Sequence, residues 1–416
     1  MRPVDRSGLR APGLVIDLEL EPRLAGDSED EVIDTSGYET AWCLLRRQGL
    51  PVDSAFWDVS ADGSVEREAL REAVNAFICP PPPAPVPEAA PALELTVAIC
   101  TRERPDSLRT ALESLQRQTD QAFSTLVVDN APATSATRDL VDGLASPSWR
   151  YEVEPAPGLS RARNTALAAV TTPLIAWLDD DETADHQWVA RLKQGFAHRC
   201  RPDAVSGLML PAELETEAQV RFEQYGGFNK GRGFATEILS LAAGTVRSPM
   251  YPLPNFGAGG NMAFRVRELR DAGGFDRCLG AGTSTHGGEE TRAFALLLRN
   301  GGTILHWPAA VTWHYHRREM TELRDQFRGY SAGLSAFFAS MLLTAPAATT
   351  RELVRVLPTA VAHARPGRGN RRIGGLPADF PKDLLRAGRR GFLQGAPAYL
   401  RERRRDRATE PPGNSG

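Results

Sequence analysis

The sequence predicts an α/β fold with a mostly parallel sheet and helices on both faces. From residue 94 onward, apolar runs of strand length alternate with amphipathic runs of helix length. The strand-like runs are almost continuously apolar, as in LELTVAIC at residues 93–100, which is typical of a parallel strand buried on both faces. Of the 416 residues, 42% are hydrophobic and 24% are charged, which is the composition of a soluble globular protein.

Composition divides the chain into four predicted segments. Residues 1–78 predict a small α/β module, with a strand at GLVIDLEL and helices at YETAWCLLRRQGL and SVEREALREAVNAF. Residues 79–93 are rich in proline and alanine and predict a semi-rigid linker. The alternating pattern occupies residues 94–320, and residues 321–416 predict a basic helical extension with a disordered tail.

Within the alternating region, strands and helices are predicted in a regular order. Strands are predicted at 93–100, 123–131, 149–155 and 173–181. Helices are predicted at 107–118, 135–145 and 159–170. Because ligands bind at the carboxyl ends of the strands in such a sheet, we expect the polar residues that follow these strands to share one cleft. They are Thr101, Arg102, Arg104, Asp129, Asn130 and the run Asp179–Asp181, with Arg161 and Arg163 nearby.

The aspartate run and the arginines are candidates for binding a phosphorylated ligand. Carboxylate oxygens suit Mg²⁺ or Mn²⁺, and a guanidinium can fork onto phosphate oxygens. In an extended backbone Asp179 and Asp181 would converge and Asp180 would face away. The alternative for the aspartates is a solvated turn or a helix cap, and single arginines are often ordinary surface residues.

Three later motifs add candidate site residues. Gly260 and Asn261 lie in GAGGNMAFR, which is either a ligand-approaching loop or a plain tight turn. Glu289 and Glu290 begin a helix, where acids are stabilised by the dipole or where one could act as a general base. HYH places His314 two residues before a second histidine, either as a metal-binding pair or as a surface pair.

Charge distribution and cysteine content indicate the cellular environment of the protein and its possible contacts. The net charge is −3, but acidic residues predominate in residues 1–94 and basic residues in 317–416. The termini could dock on each other, the basic tail could meet an anionic membrane surface, or it could stay solvated. Five scattered cysteines without CxxC spacing favour a reducing cytoplasm over a disulfide framework or a zinc site. No secretion signal is readable, and the uncharged segment 329–345 predicts a packed helix.

Seven motifs in order resemble a known family. VAICTRERP, LVVDNA, GLSRARNTAL, LIAWLDDDE, GAGGNMAFR, GGEETRAFALLLRNGG and VTWHYHRR resemble inverting glycosyltransferases of family 2, of actinobacterial type, which have the Rossmann-like GT-A fold. The resemblance covers residues 94–320. It implies a nucleotide-sugar donor, usually a UDP-sugar, and a hydroxyl acceptor on a small molecule, lipid or glycan precursor. It also implies a Mn²⁺ or Mg²⁺ cofactor.

The resemblance implies a role for each matched position. The residues implied to contact the sugar nucleotide are Thr101, Arg102, Glu103, Asp129, Arg163, Asp179, Asp180, Gly260 and Asn261. The implied metal ligands are Asp179, Asp181 and His314. The implied base is Glu290 or Glu289, where the family usually has Glu-Asp.

Two other functions remain open beside this enzyme. A sugar nucleotidyltransferase usually has a glycine-rich basic signature after the first strand, which AICTRERPD lacks. A non-catalytic nucleotide-sugar-binding protein would not need the DDD, EE and HxH motifs that this chain has. The expected enzyme is cytoplasmic, in peripheral contact with the inner face of the membrane through its basic C-terminal region, and has no nucleic-acid partner.

Overall fold

A computed structural model describes most of the chain. The described residues are 2–21, 32–59, 63–78, 92–144, 148–230, 232–250, 256–363 and 375–409. Most of the predicted linker at 79–93 and the end of the predicted disordered tail, residues 410–416, lie outside this part of the chain. The linker, the tail and the four segment boundaries therefore stay predictions.

Strands and helices alternate through most of the described chain. The strands are β1 (Arg2–Val4), β2 (Gly13–Glu19), β3 (Val32–Asp34), β4 (Thr40–Arg47), β5 (Leu50–Asp58), β6 (Ser64–Glu66), β7 (Leu95–Thr101), β8 (Ser124–Asn130), β9 (Trp149–Glu154), β10 (Leu174–Trp177), β11 (Glu182–Ala184), β12 (Ala204–Pro211), β13 (Glu237–Leu239), β14 (Met262–Arg265) and β15 (Ile304–His314). The helices are α1 (Arg67–Phe77), α2 (Pro105–Gln116), α3 (Ala136–Gly143), α4 (Leu159–Ala169), α5 (Trp188–Phe196), α6 (Glu217–Gln224), α7 (Val266–Asp271), α8 (Glu289–Arg299), α9 (Met320–Thr344), α10 (Pro346–His363) and α11 (Lys382–Thr409).

Nine described strands form the main sheet. Eight of them lie in the order β11, β15, β12, β14, β10, β7, β8, β9, and β13 pairs with β15. Strands β7 to β10 run parallel, and β12 and β15 share their direction, whereas β14 is inserted antiparallel between β10 and β12. The predicted α/β class with a mostly parallel sheet is therefore confirmed.

Both faces of the sheet are covered by helices. Successive side chains of β7 point to opposite faces. Val97 and Ile99 belong to a core shared with α2 and α5, whereas Ala98 and Cys100 belong to a core shared with α4 and α8. The continuous apolar sequence of this strand follows from burial on both sides.

The strand predicted at 173–181 is shorter in the structure. β10 ends at Trp177, before the aspartates, and the chain resumes as β11 at Glu182. The backbone N–H of Glu182 donates to the carbonyl of Asp179 across 3.2 Å, which closes a turn. The three aspartates therefore lie in a turn, where the alternation of an extended strand does not apply.

The N-terminal region forms a separate four-stranded sheet in the order β1, β5, β4, β2, with α1 packed against it. The predicted helix at YETAWCLLRRQGL is wrong, because Thr40–Arg47 forms β4 and pairs antiparallel with β5. Gln48 and Gly49, with φ of 53° and 74°, make the tight turn between them. A strand buried on both faces is continuously apolar and is easily mistaken for a buried helix.

The C-terminal helices pack closely on the main domain and on each other. A Cβ atom at Gly391 or Gly395 of α11 would lie 2.0 or 1.9 Å from a backbone carbonyl oxygen of α9, so only glycine allows this approach. The uncharged segment 329–345 lies almost entirely in α9, and its Phe337 and Met341 are buried in the main core, as expected for a packed helix. Among the described residues, no helix is long and apolar enough to span a membrane.

Candidate active site

A cavity of about 320 Å³ lies at the carboxyl ends of β7 and β10. This volume lies in the range of small-ligand sites, about 300–1,000 Å³. The cavity is lined by Cys100, Thr101, Arg102, Arg104, Asn130, Leu159, Asp179, Asp180, Asp181, Ala281, Gly282 and Arg317. The expectation that residues following different strands share one cleft is therefore correct for most of them.

Asp180 is the most tightly bound member of the aspartate turn. It is 7% exposed, accepts a hydrogen bond from Thr101 Oγ1 at 2.7 Å, and pairs with Arg104 Nη1 at 3.1 Å. Burial and the neighbouring charge of Asp181 raise the pKa of Asp180 to about 6. The prediction that Asp180 faces away is wrong, since all three aspartates line the same cavity.

Asp181 is surrounded by cationic and basic groups. Its carboxylate lies 3.5 Å from Arg104 Nη1, 3.6 Å from Arg317 Nη2 and 3.5 Å from His314 Nε2. These arginines offset the repulsion between the adjacent aspartates. Sequence reasoning missed Arg317, although it stands directly after the HYH motif.

Arg163 lies beneath the cavity and joins two acidic groups. Its guanidinium is 1% exposed, and it donates to Glu289 Oε1 at 2.9 Å, to Asp179 Oδ1 at 3.3 Å and to the Gly259 carbonyl at 3.2 Å. The structure thus places Arg163 where it holds the aspartate turn, the glycine loop and α8 together. It does not place Arg163 among the residues that line the cavity.

The two glutamates at the start of α8 have different surroundings. Glu289 is 4% exposed and is paired with Arg163. Burial and the negative charge of Glu290 raise the pKa of Glu289, and the Arg163 guanidinium opposes that rise. Glu290, one residue further along the helix, is only partly buried. Of the two carboxylates Glu290 is therefore the more exposed, and neither lines the cavity.

A buried hydrogen-bond chain leads from the aspartate turn to α6. His314 Nδ1 lies 2.9 Å from His316 Nδ1, and His316 Nε2 lies 3.2 Å from Glu223 Oε1. A carboxylate lies at each end of this chain, and the contact to Glu223 is shorter than the 3.5 Å between His314 Nε2 and Asp181, which favours the proton of His316 on Nε2. His316 Nδ1 then accepts from His314 Nδ1–H, and the lone pair of His314 Nε2 faces Asp181. Two acceptors facing each other in this way fit a cation.

The predicted metal ligands do not form a ready-made site. Over the described ranges, no group of three or more His, Cys, Asp or Glu side chains is arranged to hold a metal ion. Asp179 is paired with Arg163, whereas Asp181 and His314 face each other at 3.5 Å. Mg²⁺ is commonly bound through one or two carboxylates plus substrate phosphates and water. The Asp181–His314 pair fits an ion whose coordination is completed by a substrate.

Two residues predicted to contact the ligand are buried and have interior partners, so their ligand contacts stay predictions. Asp129 is fully buried and accepts a hydrogen bond from Tyr151 Oη at 2.8 Å, while the next residue of β8, Asn130, lines the cavity. Asn261 is also fully buried. Its amide donates to two backbone carbonyls at 2.8 and 2.9 Å and accepts from Trp188 Nε1 at 2.9 Å.

Three other predicted residues support the site from outside the cavity lining. Glu103 accepts hydrogen bonds from the backbone N–H groups of Ala133 and Thr134 and fixes the loop after β8. A Cβ at Gly260 would lie 1.8 Å from Glu182 Oε1, so the close packing behind the aspartate turn requires glycine there. Arg161 does not line the cavity, and its guanidinium pairs with the side chain of Asp406 in α11.

The fold and the cavity define an α/β protein whose ligand site is built from acidic turns and arginines at the ends of parallel strands. Residues 96–240 match the model of Glycosyl transferase family 2. The match is confined to those residues, and it agrees with the predicted GT-A fold.

Similarity to individual proteins is more distant. The chain is 27% identical over 264 residues, 63% of its length, to a "Pre-mycofactocin glycosyltransferase" from two strains of Mycobacterium tuberculosis. It spans only about half of that relative's length, 50%. It is 33% identical over 106 residues to the "Succinoglycan biosynthesis protein ExoM" of Rhizobium meliloti, which covers 24% of this chain and 34% of ExoM.

A solved structure has a weak overall likeness. The "Mannosyltransferase PcManGT from Pyrobaculum calidifontis in complex with GDP-Man and Mn2+" shares 16% identity and a TM-score of 0.45, with 82% of each chain covered. At this level the likeness carries nothing over to the ligands of this chain.

Proposed function

We propose that this chain transfers a sugar from a nucleotide-diphosphate donor, a UDP-sugar, to an acceptor hydroxyl with inversion at the anomeric carbon. The observation that supports this most is the composition of one cavity. The aspartate turn shares it with three arginines, Arg102, Arg104 and Arg317. Guanidinium groups beside carboxylates suit a diphosphate that arrives with a divalent cation.

Asp181 and His314 would hold that cation, Mn²⁺ or Mg²⁺. Their facing acceptor atoms, 3.5 Å apart, are the feature of this chain that fits it. A bound divalent ion supplies positive charge to the diphosphate. Arg104 and Arg317 supply further positive charge on the same side and stabilise the leaving group.

Glu290 is proposed as the general base. It takes the proton from the acceptor hydroxyl as that oxygen forms a bond to the anomeric carbon and the bond to the diphosphate breaks. Its partial exposure at the start of α8 supports this assignment, whereas Glu289 is already paired with Arg163. Glu289 is then a positioning residue that holds Arg163.

The experiment is a donor screen followed by kinetics on the full chain. Nucleotide sugars with and without Mn²⁺ are tested for thermal stabilisation, and transfer is then measured as nucleoside diphosphate release. We expect Glu290→Gln to lower kcat about 10²- to 10⁴-fold while the donor still binds. We expect Asp181→Ala to abolish turnover.

The matched control is Asp142→Asn, on the exposed side of α3, which should leave kcat and KM unchanged. Normal transfer by Asp181→Ala would overturn the proposal. Donor binding without any turnover in the wild-type chain would favour the non-catalytic binding protein.

We also propose that the protein is cytoplasmic and contacts the inner face of the membrane through α11. Leu393 is 76% exposed and Leu400 is 45% exposed, and the exposed Arg389 and Arg390 lie beside Leu393. Apolar side chains between arginines suit an anionic bilayer surface.

Vesicle flotation tests this contact. The full chain should float with vesicles containing phosphatidylglycerol and not with pure phosphatidylcholine, and Leu393→Glu should weaken the binding more than the neighbouring Gln394→Glu. A wild-type chain that does not bind anionic vesicles even at low salt would contradict the proposal.

A further inference from the structure

We propose that the last turns of α11 position the loop that forms one wall of the cavity, so that the C-terminal helix is part of the substrate site. This loop, residues 276–288, is named the cleft loop. The inference rests on the proposed function for its kinetic readout. Glu402 and Asp406 are the positioning residues, and neither is among those that line the cavity.

The cleft loop connects the cavity wall to the proposed base. Ala281 and Gly282 line the cavity opposite the aspartate turn, and the loop leads directly into α8 and Glu290. The backbone at Gly282 is crowded, because a Cβ there would lie 3.1 Å from Gly158 Cα, and its φ is +83°. The path of this loop therefore sets the width of the cavity on that side.

The base of the cleft loop is fixed by packing and buried hydrogen bonds. Asp276 accepts hydrogen bonds from Ser340 Oγ at 2.7 Å and from Tyr399 Oη at 2.8 Å. A Cβ at Gly333 of α9 would lie 2.6 Å from the backbone of Gly287. Both ends of the loop are thus held against α9 and α11.

Two carboxylates of α11 bind the cleft loop, Glu402 at its tip and Asp406 at its start. Glu402 Oε1 accepts hydrogen bonds from Ser284 Oγ at 2.7 Å and from the Ser284 backbone N–H at 3.3 Å. Asp406 pairs with Arg161 at 2.6 Å and with Arg277 at 3.0 Å. One carboxylate therefore joins the start of α4 to the start of the cleft loop.

These contacts lie on the substrate-binding side of the site and not on its reacting groups. Charge-assisted hydrogen bonds such as these order a loop before the ligand arrives. When they are removed, the free energy of ordering the cleft loop must come from substrate binding. Removal should therefore raise KM and leave kcat nearly unchanged, because Glu290 and Asp181 keep their own contacts.

The experiment compares Asp406→Ala and Glu402→Ala with Arg404→Ala, which lies on the exposed side of the same helix. We expect KM to rise about tenfold in the first two variants, with kcat within about twofold of wild type. Asp406→Glu should restore most of the loss. Hydrogen exchange in the peptide covering 277–286, measured without substrate, should become faster in Asp406→Ala and stay unchanged in Arg404→Ala.

Two outcomes would overturn the proposal. The first is unchanged exchange in the cleft loop of Asp406→Ala. The second is a kcat that falls in proportion to the folded fraction with KM unchanged, which is the result of a purely structural role. A wild-type chain that transfers no sugar would instead contradict the proposed function, and the exchange measurement would still test the role of Asp406.

Discussion

The N-terminal module and the C-terminal helices both hold the candidate site, but they do so through different kinds of structure. Arg46 of β4 binds Asp185, which directly follows β11. Strand β11 is itself paired with β15, so the module binds a segment that the sheet already fixes. The carboxylates of α11 bind the tip and the start of a loop instead. Loss of a contact to the fixed segment should therefore lower the stability of the fold. Loss of a contact to the loop should instead weaken substrate binding.

The contact made by Arg46 is a buried ion pair. Its guanidinium is 7% exposed and lies 2.6 Å from Asp185, whose side chain is 8% exposed, and it also binds Asp17 at 2.7 Å. Burial opposes ionisation of Asp185, but the hydrogen bond to His186 and the charge of Arg46 prevail and lower its pKa to about 2. The pair therefore stays charged at neutral pH.

Among the variants that test this comparison, Arg46→Ala should change stability the most. Removing Arg46 leaves the buried Asp185 carboxylate with only His186 and the Gln187 backbone N–H as partners, and breaking a buried ion pair costs about 3–5 kcal/mol. We expect the free energy of unfolding, measured by urea denaturation, to fall by that amount. In the protein that remains folded, KM should stay within about twofold of wild type, in contrast to the tenfold rise expected for Asp406→Ala.

The matched control is Arg10→Ala in the same module. Arg10 also binds two carboxylates, Glu39 and Asp58, but its side chain is 44% exposed. An exposed pair of this kind contributes about 0–1 kcal/mol. Equal destabilisation by the two variants, or a KM change in Arg46→Ala as large as that in the α11 variants, would remove the distinction between the two regions.

The main sheet was predictable because its signals are local. The apolar runs of β7, β8 and β10 are long enough to be read as strands buried on both faces, and their carboxyl ends must meet. That rule placed Thr101, Arg102, Asn130 and the aspartates in one cavity. Strand β4 is also continuously apolar. It is not flanked by a regular alternation of strands and helices, so its sequence fits a helix equally well.

Side-chain direction within the site was not predictable, because it depends on backbone turns and on distant partners. The wrong orientation for Asp180 came from assuming that β10 continues to Asp181, and the turn closed by Glu182 brings it back. Asn261 reads as a ligand amide in its motif, yet its partners Leu208, Ala310 and Trp188 lie far away in the sequence. The contacts of Asp406 with Arg161 and Arg277 are equally remote.

A variant of α6 with a smaller expected effect tests whether the N-terminal module also influences the proposed cation site. Gln224 of α6 donates to the carbonyl of Leu9 in the module at 2.8 Å, and the preceding residue, Glu223, ends the histidine chain that leads to Asp181. Glu223→Gln lets the new amide donate to His316, which permits the opposite tautomers along the chain. The lone pair of His314 Nε2 would then be lost to the cation.

We expect Glu223→Gln to weaken Mn²⁺ binding about 10- to 100-fold, as for other residues that orient metal-binding histidines. This is about 1.4–2.8 kcal/mol, less than the effect of Arg46→Ala. Calorimetric titration of Mn²⁺ with UDP present measures it, with Glu217→Gln on the exposed face of α6 as the control. Wild-type Mn²⁺ affinity in Glu223→Gln would show that the histidine chain does not set the cation site. The influence of the N-terminal module would then end at Asp185.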